Sequence, residues 1–296
     1  MSRVASAARG LYQRAMSNSL AHGIIDAYAR RLPYHPGKWR VIEALVRLSG
    51  VGESDCGKSF TVEIEGLRWK LQTTCHIQRK LFYHGFIDRV ECRELAARLQ
   101  PGAMFFDVGS YFGWYSLWLA KHCGASACAF EPVPVNYELL AENTRLNPAQ
   151  NVRTFPLALS DQPGEVCFQL PAADNRGTGR ILDDGGQRVP AITLDAFVAE
   201  HGITRLDAMK IDVEGAEVRV LAGGRETLKK FQPAILIELN PKRLEMLGAS
   251  EAALLASLRD LGYAIHHVGK RGLEPFRGIP AGQEYTNLIC LAPSAK

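Results

Sequence analysis

From Met104 onward, short and continuously apolar segments alternate with helical ones, and this alternation leaves few architectures open. The apolar segments are Met104–Val108, Ala127–Phe130, Val152–Ala158, Leu206–Ile211, Ala234–Leu239, Tyr263–Val268 and Asn287–Leu291. Between them, helical patterns are anchored by Trp114–Lys121, Val135–Leu146, Gly215–Lys230 and Glu251–Leu261. Strands apolar on both faces need cover on both faces, so the pattern predicts a mostly parallel sheet between two layers of helices. The interval between the third and fourth strands is long. It holds an expected hairpin (Glu165–Leu170 with Arg188–Ile192), a polar tip (Asp174–Gln187) that is a candidate lid, and a short helix from Thr193.

The N-terminal third reads differently. Two prolines in Leu32–Gly37 separate two helices within residues 1–50. Residues 59–72 alternate apolar and polar about Glu65-Gly66, a hairpin signal, and 76–100 reads as helical up to Pro101-Gly102. Val4, Ala7, Ala8, Leu11, Tyr12 and Ala15 follow helical spacing, which predicts an amphipathic helix packed on the body or on a partner subunit. An organellar transit peptide or membrane-surface contact by that helix, and a homo-oligomer, stay open.

Charge and cysteines narrow the function. Residues 1–50 carry eight Arg or Lys against two acids, so a chain of net +4 has a body of net −2 from residue 51 on. Without a basic stripe on that body, nucleic acid is not the expected partner. Seven cysteines without C-x-x-C spacing (Cys56, Cys75, Cys92, Cys123, Cys128, Cys167 and Cys290) read as thiols of a reducing compartment. Arg9 and Arg14 interrupt any apolar signal core, and the uncharged run Val108–Ala120 is broken by Gly109 and Gly113. A cytoplasmic protein with no transmembrane helix is expected.

The chemistry lies at the strand ends. The first strand closes on Asp107-Val108-Gly109-Ser110-Tyr111-Phe112-Gly113 and a helix follows; ligands of open parallel sheets bind beyond such ends. The spacing is G-x-x-x-G, without the third glycine of a dinucleotide fingerprint, which opposes an NAD-dependent dehydrogenase. The second strand ends on Glu131 before Pro132, a carboxylate placed to bind the ribose hydroxyls of an adenosine. A ribose ligand beside a turn that receives no pyrophosphate suits S-adenosylmethionine. The fourth strand ends in Lys210-Ile211-Asp212-Val213-Glu214-Gly215-Ala216-Glu217, and Glu238 interrupts the apolar fifth strand. A buried Glu needs a partner or a site; Lys210 is a candidate partner. Asp212, Glu238 and Asn240 also make a hard oxygen set that admits magnesium or calcium, though no metal ligand is assigned. His266 and His267 fall on opposite faces of the sixth strand, one of them a candidate base. Trp114, Tyr115 and Trp118 read as core.

With those motifs in place, the sequence resembles the FkbM-type methyltransferases. The resemblance rests on DVGSYFGWYSL (Asp107–Leu117), FEP (Phe130–Pro132), LALSD (Leu157–Asp161), TLD (Thr193–Asp195), KIDVEGAE (Lys210–Glu217) and LIEL (Leu236–Leu239), in that family's order. It implies a class I methyltransferase (Rossmann-like) fold: a seven-stranded, mostly parallel sheet with helices on both faces. An N-terminal helical and hairpin cap (1–75) would precede the S-adenosylmethionine-dependent domain (76–296). Such enzymes usually methylate hydroxyl oxygens of polyketides, sugars and glycans. Carried onto this chain, Asp107, Gly109, Ser110, Tyr111 and Gly113 hold the methionine end of the cofactor. Glu131 takes the ribose, Leu159 and Ser160 lie by the adenine, and Asp212 sits beside the methyl. Asp212 and Glu238 are the catalytic candidates. Ser110-Tyr111 stand where the family usually has Ala-Asn, so the backbone and Glu131 are expected to carry more of the binding. A catalytically silent S-adenosylmethionine-binding or scaffold protein is the alternative reading.

Overall fold

The computed structural model describes residues 23–25, 27–29, 37–49, 59–72, 75–169, 180–182, 186–269 and 272–293. The amphipathic segment Val4–Ala15 and most of the polar tip 174–187 lie outside these residues. The chain divides into two compact units, with the boundary after Ile87.

The first unit contains helix α1 (Lys38–Ser49), the hairpin β1 (Phe60–Ile64) and β2 (Leu67–Leu71), and helix α2 (His76–His84). Glu65 and Gly66 both have positive φ (55° and 69°), the conformation that a two-residue hairpin turn requires. Alternation along β2 buries Leu67, Trp69 and Leu71, and the Trp69 indole donates to the Ile64 carbonyl at 3.2 Å. An ion pair at 3.1 Å joins Arg79 of α2 to Glu43 of α1. The helix expected over 76–100 is interrupted: Gly85 (φ 73°) closes α2 in the left-handed region.

The second unit opens with helix α3 (Arg89–Ala96) and continues through the alternation read from the sequence. Its main strands are β3 (Met104–Val108), β4 (Ser126–Phe130), β5 (Val152–Phe155), β10 (Ala208–Ile211), β11 (Ala234–Leu239), β12 (Ala264–Gly269), β13 (Gly272–Pro275) and β14 (Thr286–Leu291). They form one sheet in the order β13-β12-β14-β11-β10-β3-β4-β5. β5, β4, β3, β10 and β11 are mutually parallel, and β14 is antiparallel to β11 and β12. The seven expected strands are present, and β13 adds an eighth at the edge through a hairpin with β12. Between β5 and β10 lies a smaller sheet of β6 (Ala158–Leu159), β7 (Gly164–Gln169), β8 (Arg180–Leu182) and β9 (Gln187–Ile192), ordered β6-β9-β7-β8. The expected strand Val152–Ala158 is split because Pro156 has no N–H to extend the ladder, and its two parts join different sheets.

The pleat sorts residues onto two faces. Phe106, Val108, Cys128, Phe130, Met209, Ile211, Ile235 and Ile237 point into one core, with side chains from α6 (Leu194–Glu200), α7 (Glu217–Ala222), α8 (Arg225–Phe231) and α10 (Glu251–Asp260). Phe106, Phe130, Phe155 and Phe197 form its aromatic centre, with ring centroids 4.7–5.7 Å apart. The intervening residues Asp107, Ala129, Lys210, Leu236 and Glu238 face the other way, toward α3 and α4 (Trp114–Cys123), while α5 (Pro134–Leu146) packs on β5. From Trp114 to Ala120 every residue of α4 is buried, so the expected core role of Trp114, Tyr115 and Trp118 holds. The six described cysteines are free thiols. No helix among the described residues is long and apolar enough to cross a membrane.

The helix expected over Gly215–Lys230 is two helices broken at Gly223-Gly224. A Cβ on Gly223 would overlap the Ser160 carbonyl oxygen, and one on Gly224 would lie 2.5 Å from Leu194 Cδ2. The first turn of α8 is instead capped from a distance: the Asp195 carboxylate accepts the N–H groups of Glu226 (3.2 Å) and Thr227 (2.7 Å). Gly223→Ala should therefore lower stability by about 1–3 kcal/mol in urea unfolding, and Asp195→Ala by about 1 kcal/mol. A Gly223→Ala protein with the wild-type midpoint would show that the two backbones have room to separate.

Candidate active site

In the main sheet the chain runs outward from β3 to β5 and then returns to lay β10 against β3. The switch point is therefore the crevice beyond Val108 and Ile211. Two loops meet there. The Asp212 N–H donates to the Val108 carbonyl at 3.0 Å, and the Asp212 carbonyl sits where a side chain on residue 109 would have to be. Gly109 (φ 79°) is thus required twice, by conformation and by space.

The turn after β3 is held by its own backbone. The N–H groups of Gly109 and Ser110 both donate to the Phe130 carbonyl, at 3.1 and 3.0 Å. The Ser110 hydroxyl donates to the same oxygen at 3.1 Å, so Ser110 serves the turn. Tyr111 is in the left-handed region (φ 51°), which a short amide side chain tolerates better than a bulky ring. Its N–H donates to Glu131 Oε2 at 2.9 Å. Gly113 (φ 91°) opens α4, with Leu140 close to where its Cβ would lie.

Asp107 lies under this turn. Its Oδ2 accepts the Ser116 N–H (3.1 Å) and hydroxyl (2.6 Å), which pins α4 to β3. Its Oδ1 is buried without a partner among the described residues. Burial pushes the Asp107 carboxyl up, against the pull of Lys210.

Glu131 is at the end of β4 as expected, but it is only 4% exposed. Its Oε1 accepts the Val133 N–H at 2.9 Å and its Oε2 that of Tyr111. Burial raises it to about 7 despite these bonds and one from the Asn136 side chain. Leu159 and Ser160 are also sealed: Leu159 belongs to the core, and the Ser160 hydroxyl bonds Asp161 at 3.0 Å.

The acids of KIDVEGAE divide by role. Glu217 is buried and its Oε1 accepts the N–H groups of Val213 (3.1 Å) and Gly215 (3.2 Å), folding the loop; burial lifts it to about 7. Glu214 pairs with Arg243 at 3.3 Å and is raised to about 8, chiefly by burial. Asp212 keeps its side chain 39% exposed at the mouth of the crevice, paired with Lys210 Nζ at 3.1 Å. Lys210 thus pairs with Asp212. Glu238, opposite Asn287 in the register of β11 and β14, has no hydrogen-bond or ion-pair partner among the described residues. Burial, followed by Asp212, Glu214 and Glu217, pushes it up to about 9.

Two of the donors considered for a divalent cation have protein partners. Asp212 is held by Lys210, and Asn240 Oδ1 accepts the Arg243 N–H to cap α9 (Pro241–Met246). Among the described residues no group of three or more His, Cys, Asp or Glu is arranged to hold a metal. His266 and His267 lie on β12, beyond β11 and β14 from the switch point, so neither is brought to it. Sequence reasoning missed Tyr115, whose ring lies 5.3 Å from Lys210 Nζ and whose hydroxyl bonds Asp88 at 3.1 Å. A lone Lys in the apolar strand AMKI was the available signal for that side of the site.

S-adenosylmethionine fits these residues. The unpartnered Asp107 oxygen and the open Asp212 carboxylate suit a cationic ligand. Glu131, which has about four lone-pair positions, retains acceptor capacity for a hydroxyl beyond its three bonds.

Four carboxyls of this region (Glu131, Glu214, Glu217 and Glu238) are held above the usual Glu value. The folded chain therefore keeps protons that the unfolded chain releases, and stability falls as pH rises from about 5 toward 9. Glu238→Gln, neutral at every pH, should flatten the upper part of that fall and melt about 2–4 °C above wild type at pH 9. Parallel melting curves for the two proteins would show that Glu238 is ionised without cost.

Residues 107–265 match the family model described as Methyltransferase FkbM domain. Hexuronic acid methyltransferase AglP of Haloferax volcanii is 27% identical over 173 residues, 57% of this chain and 70% of that protein. The 31-O-demethyl-FK506 methyltransferase FkbM of Streptomyces tacrolimicus is 30% identical over 176 residues, 48% of this chain and 67% of that one. Among solved structures, the methyltransferase FkbM of Methylobacillus flagellatus KT superposes with a TM-score of 0.43 at 15% identity, over 90% of this chain and 57% of that one. The matched segment runs from the Asp107 turn, through the strand-end acids, into β12. The chain belongs to the FkbM methyltransferase family and has its class I, S-adenosylmethionine-dependent methyltransferase fold.

Proposed function

We propose that the protein is an S-adenosylmethionine-dependent O-methyltransferase whose acceptor is a hydroxyl on a sugar, glycan or natural product. The observation that carries this reading is the placement of Asp212. Its backbone is locked against Val108 and Gly109 of the cofactor turn, while its carboxylate stays open at the strand end. A base fixed to the cofactor turn but open to the crevice suits removal of a hydroxyl proton in line with a methyl donor. The names of two relatives, one for a hexuronic acid and one for 31-O-demethyl-FK506, support acceptors of the sugar and natural-product classes.

Asp107, the Gly109–Gly113 turn and Glu131 are the residues assigned to the cofactor, which when bound supplies an electrophilic methyl on a sulfonium. Asp212 is assigned the acceptor's hydroxyl proton. Glu238, held neutral at pH 7 by its surroundings, is assigned a hydrogen bond donated to an acceptor oxygen. No step is assigned to a metal. The first unit is assigned an accessory role.

Tritiated-methyl transfer from labelled cofactor into fractionated cell extract tests the acceptor class. Label is expected in the polysaccharide or small-molecule pools; label that disappears on RNase treatment would point to RNA and overturn the proposal. In the same assay Asp212→Asn should lower the rate by about 10²–10⁴-fold. A rate equal to wild type would remove Asp212 as the base.

A further inference from the structure

Lys210 has no place in the chemistry assigned so far, yet it is the most tightly placed cation of the unit. It lies on β10 directly opposite Asp107 of β3, with its side chain only 9% exposed. Its ammonium makes three contacts: Asp212 Oδ2 at 3.1 Å, the Gly109 carbonyl at 3.2 Å, and the face of Tyr115 at 5.3 Å. An ammonium buried this deeply is costly unless it is paired and hydrogen-bonded. The side chain thus stays where two loops from different strands supply acceptors.

We propose that Lys210 is a positioning residue that clamps the cofactor turn to the Asp212 carboxylate, so that the methyl donor and the base are held in one frame. The inference rests on the reading of Asp212 as the base. Asp107 faces Lys210 from β3, Tyr115 from α4, Asp88 from ahead of α3, Asp212 and Glu214 from the loop after β10, and Glu238 from β11. The other cation here, Arg243, is engaged by Glu214. In this acidic surround a neutral residue at 210 would leave the Asp212 carboxylate facing three further carboxyls with no cation to fix its direction. The Gly109 carbonyl would also lose a donor. The net effect of these neighbours holds Lys210 above its ordinary value in spite of burial, so it is charged at working pH.

A double-mutant cycle on the full chain tests the clamp, using Lys210→Met, Asp212→Asn and the pair. One readout is transfer of labelled methyl to the extract fraction that the wild type labels; the other is calorimetric affinity for S-adenosylhomocysteine. Lys210→Met should slow transfer about 10–100-fold, and Lys210→Arg, which keeps charge and donors, should recover most of that loss. In the Asp212→Asn background the same change should cost less than about twofold, because residues acting as a unit are not additive. S-adenosylhomocysteine should bind about 3–10-fold more weakly to Lys210→Met in either background, since the turn has lost a hydrogen bond. An equal loss of rate in both backgrounds, or an Arg variant as slow as Met, would overturn the proposal. So would an unchanged affinity. An Asp212→Asn enzyme with full activity would instead overturn the assignment of the base, and the affinity would still report on the clamp. If Lys210→Met is recovered unfolded, Lys210→Gln takes its place with the same expectations.

Discussion

Where β3 and β10 leave the sheet side by side, their backbones come so close that residue 109 has no room for a side chain. The Asp212 carbonyl occupies that volume, and the Asp212 N–H is spent on Val108. Everything distinctive about the site follows from this contact. It puts the turn that opens α4 and the loop that opens α7 within reach of one ammonium. It also points the Asp212 carboxylate outward while its main chain stays fixed. Parallel pairing of β3 with β10 supplies the geometry, and the return of the chain from β5 supplies the crevice.

Around that contact the carboxylates divide by what they hold. Glu131 and Glu217 each accept two backbone N–H groups, and Asp107 accepts the N–H and hydroxyl of Ser116. These three are the cement of the turns, and their burial raises them all. Asp212 and Glu238 differ sharply: one is paired with a cation, the other has no hydrogen-bond or ion-pair partner among the described residues and is pushed up by burial and by the neighbouring carboxyls. In the proposed reaction their settings suit opposite tasks, Asp212 taking a proton and Glu238 offering a hydrogen bond.

Seven strands of the main sheet were legible as apolar runs, most of them bounded by Gly, Pro or an acid, and the motif residues were legible because they fall at those ends. Four features were not. The break at Gly223-Gly224 depends on the Ser160 backbone, sixty-odd positions earlier in sequence, so no local pattern signals it. Glu131 and Ser160 fall in the family's positions, but whether such a side chain faces a ligand or caps its own loop is decided by N–H groups that only the fold gathers. The partner of Lys210 stayed open in the sequence for a related reason. Pleat alone puts Lys210 and Glu238 on one face, whereas the sharp exit of the chain after Ile211 brings Asp212 back to the ammonium. The extra edge strand β13 is short and partly polar, and it pairs only through β12.

All of the chemistry assigned to this site requires that the crevice beyond Val108 and Ile211 take the cofactor. Calorimetric titration of the wild-type chain with S-adenosylmethionine should give saturable binding at one site per chain, abolished when Gly109 is replaced by Val. No heat of binding with the wild-type chain, or equal binding by Gly109→Val, would contradict it.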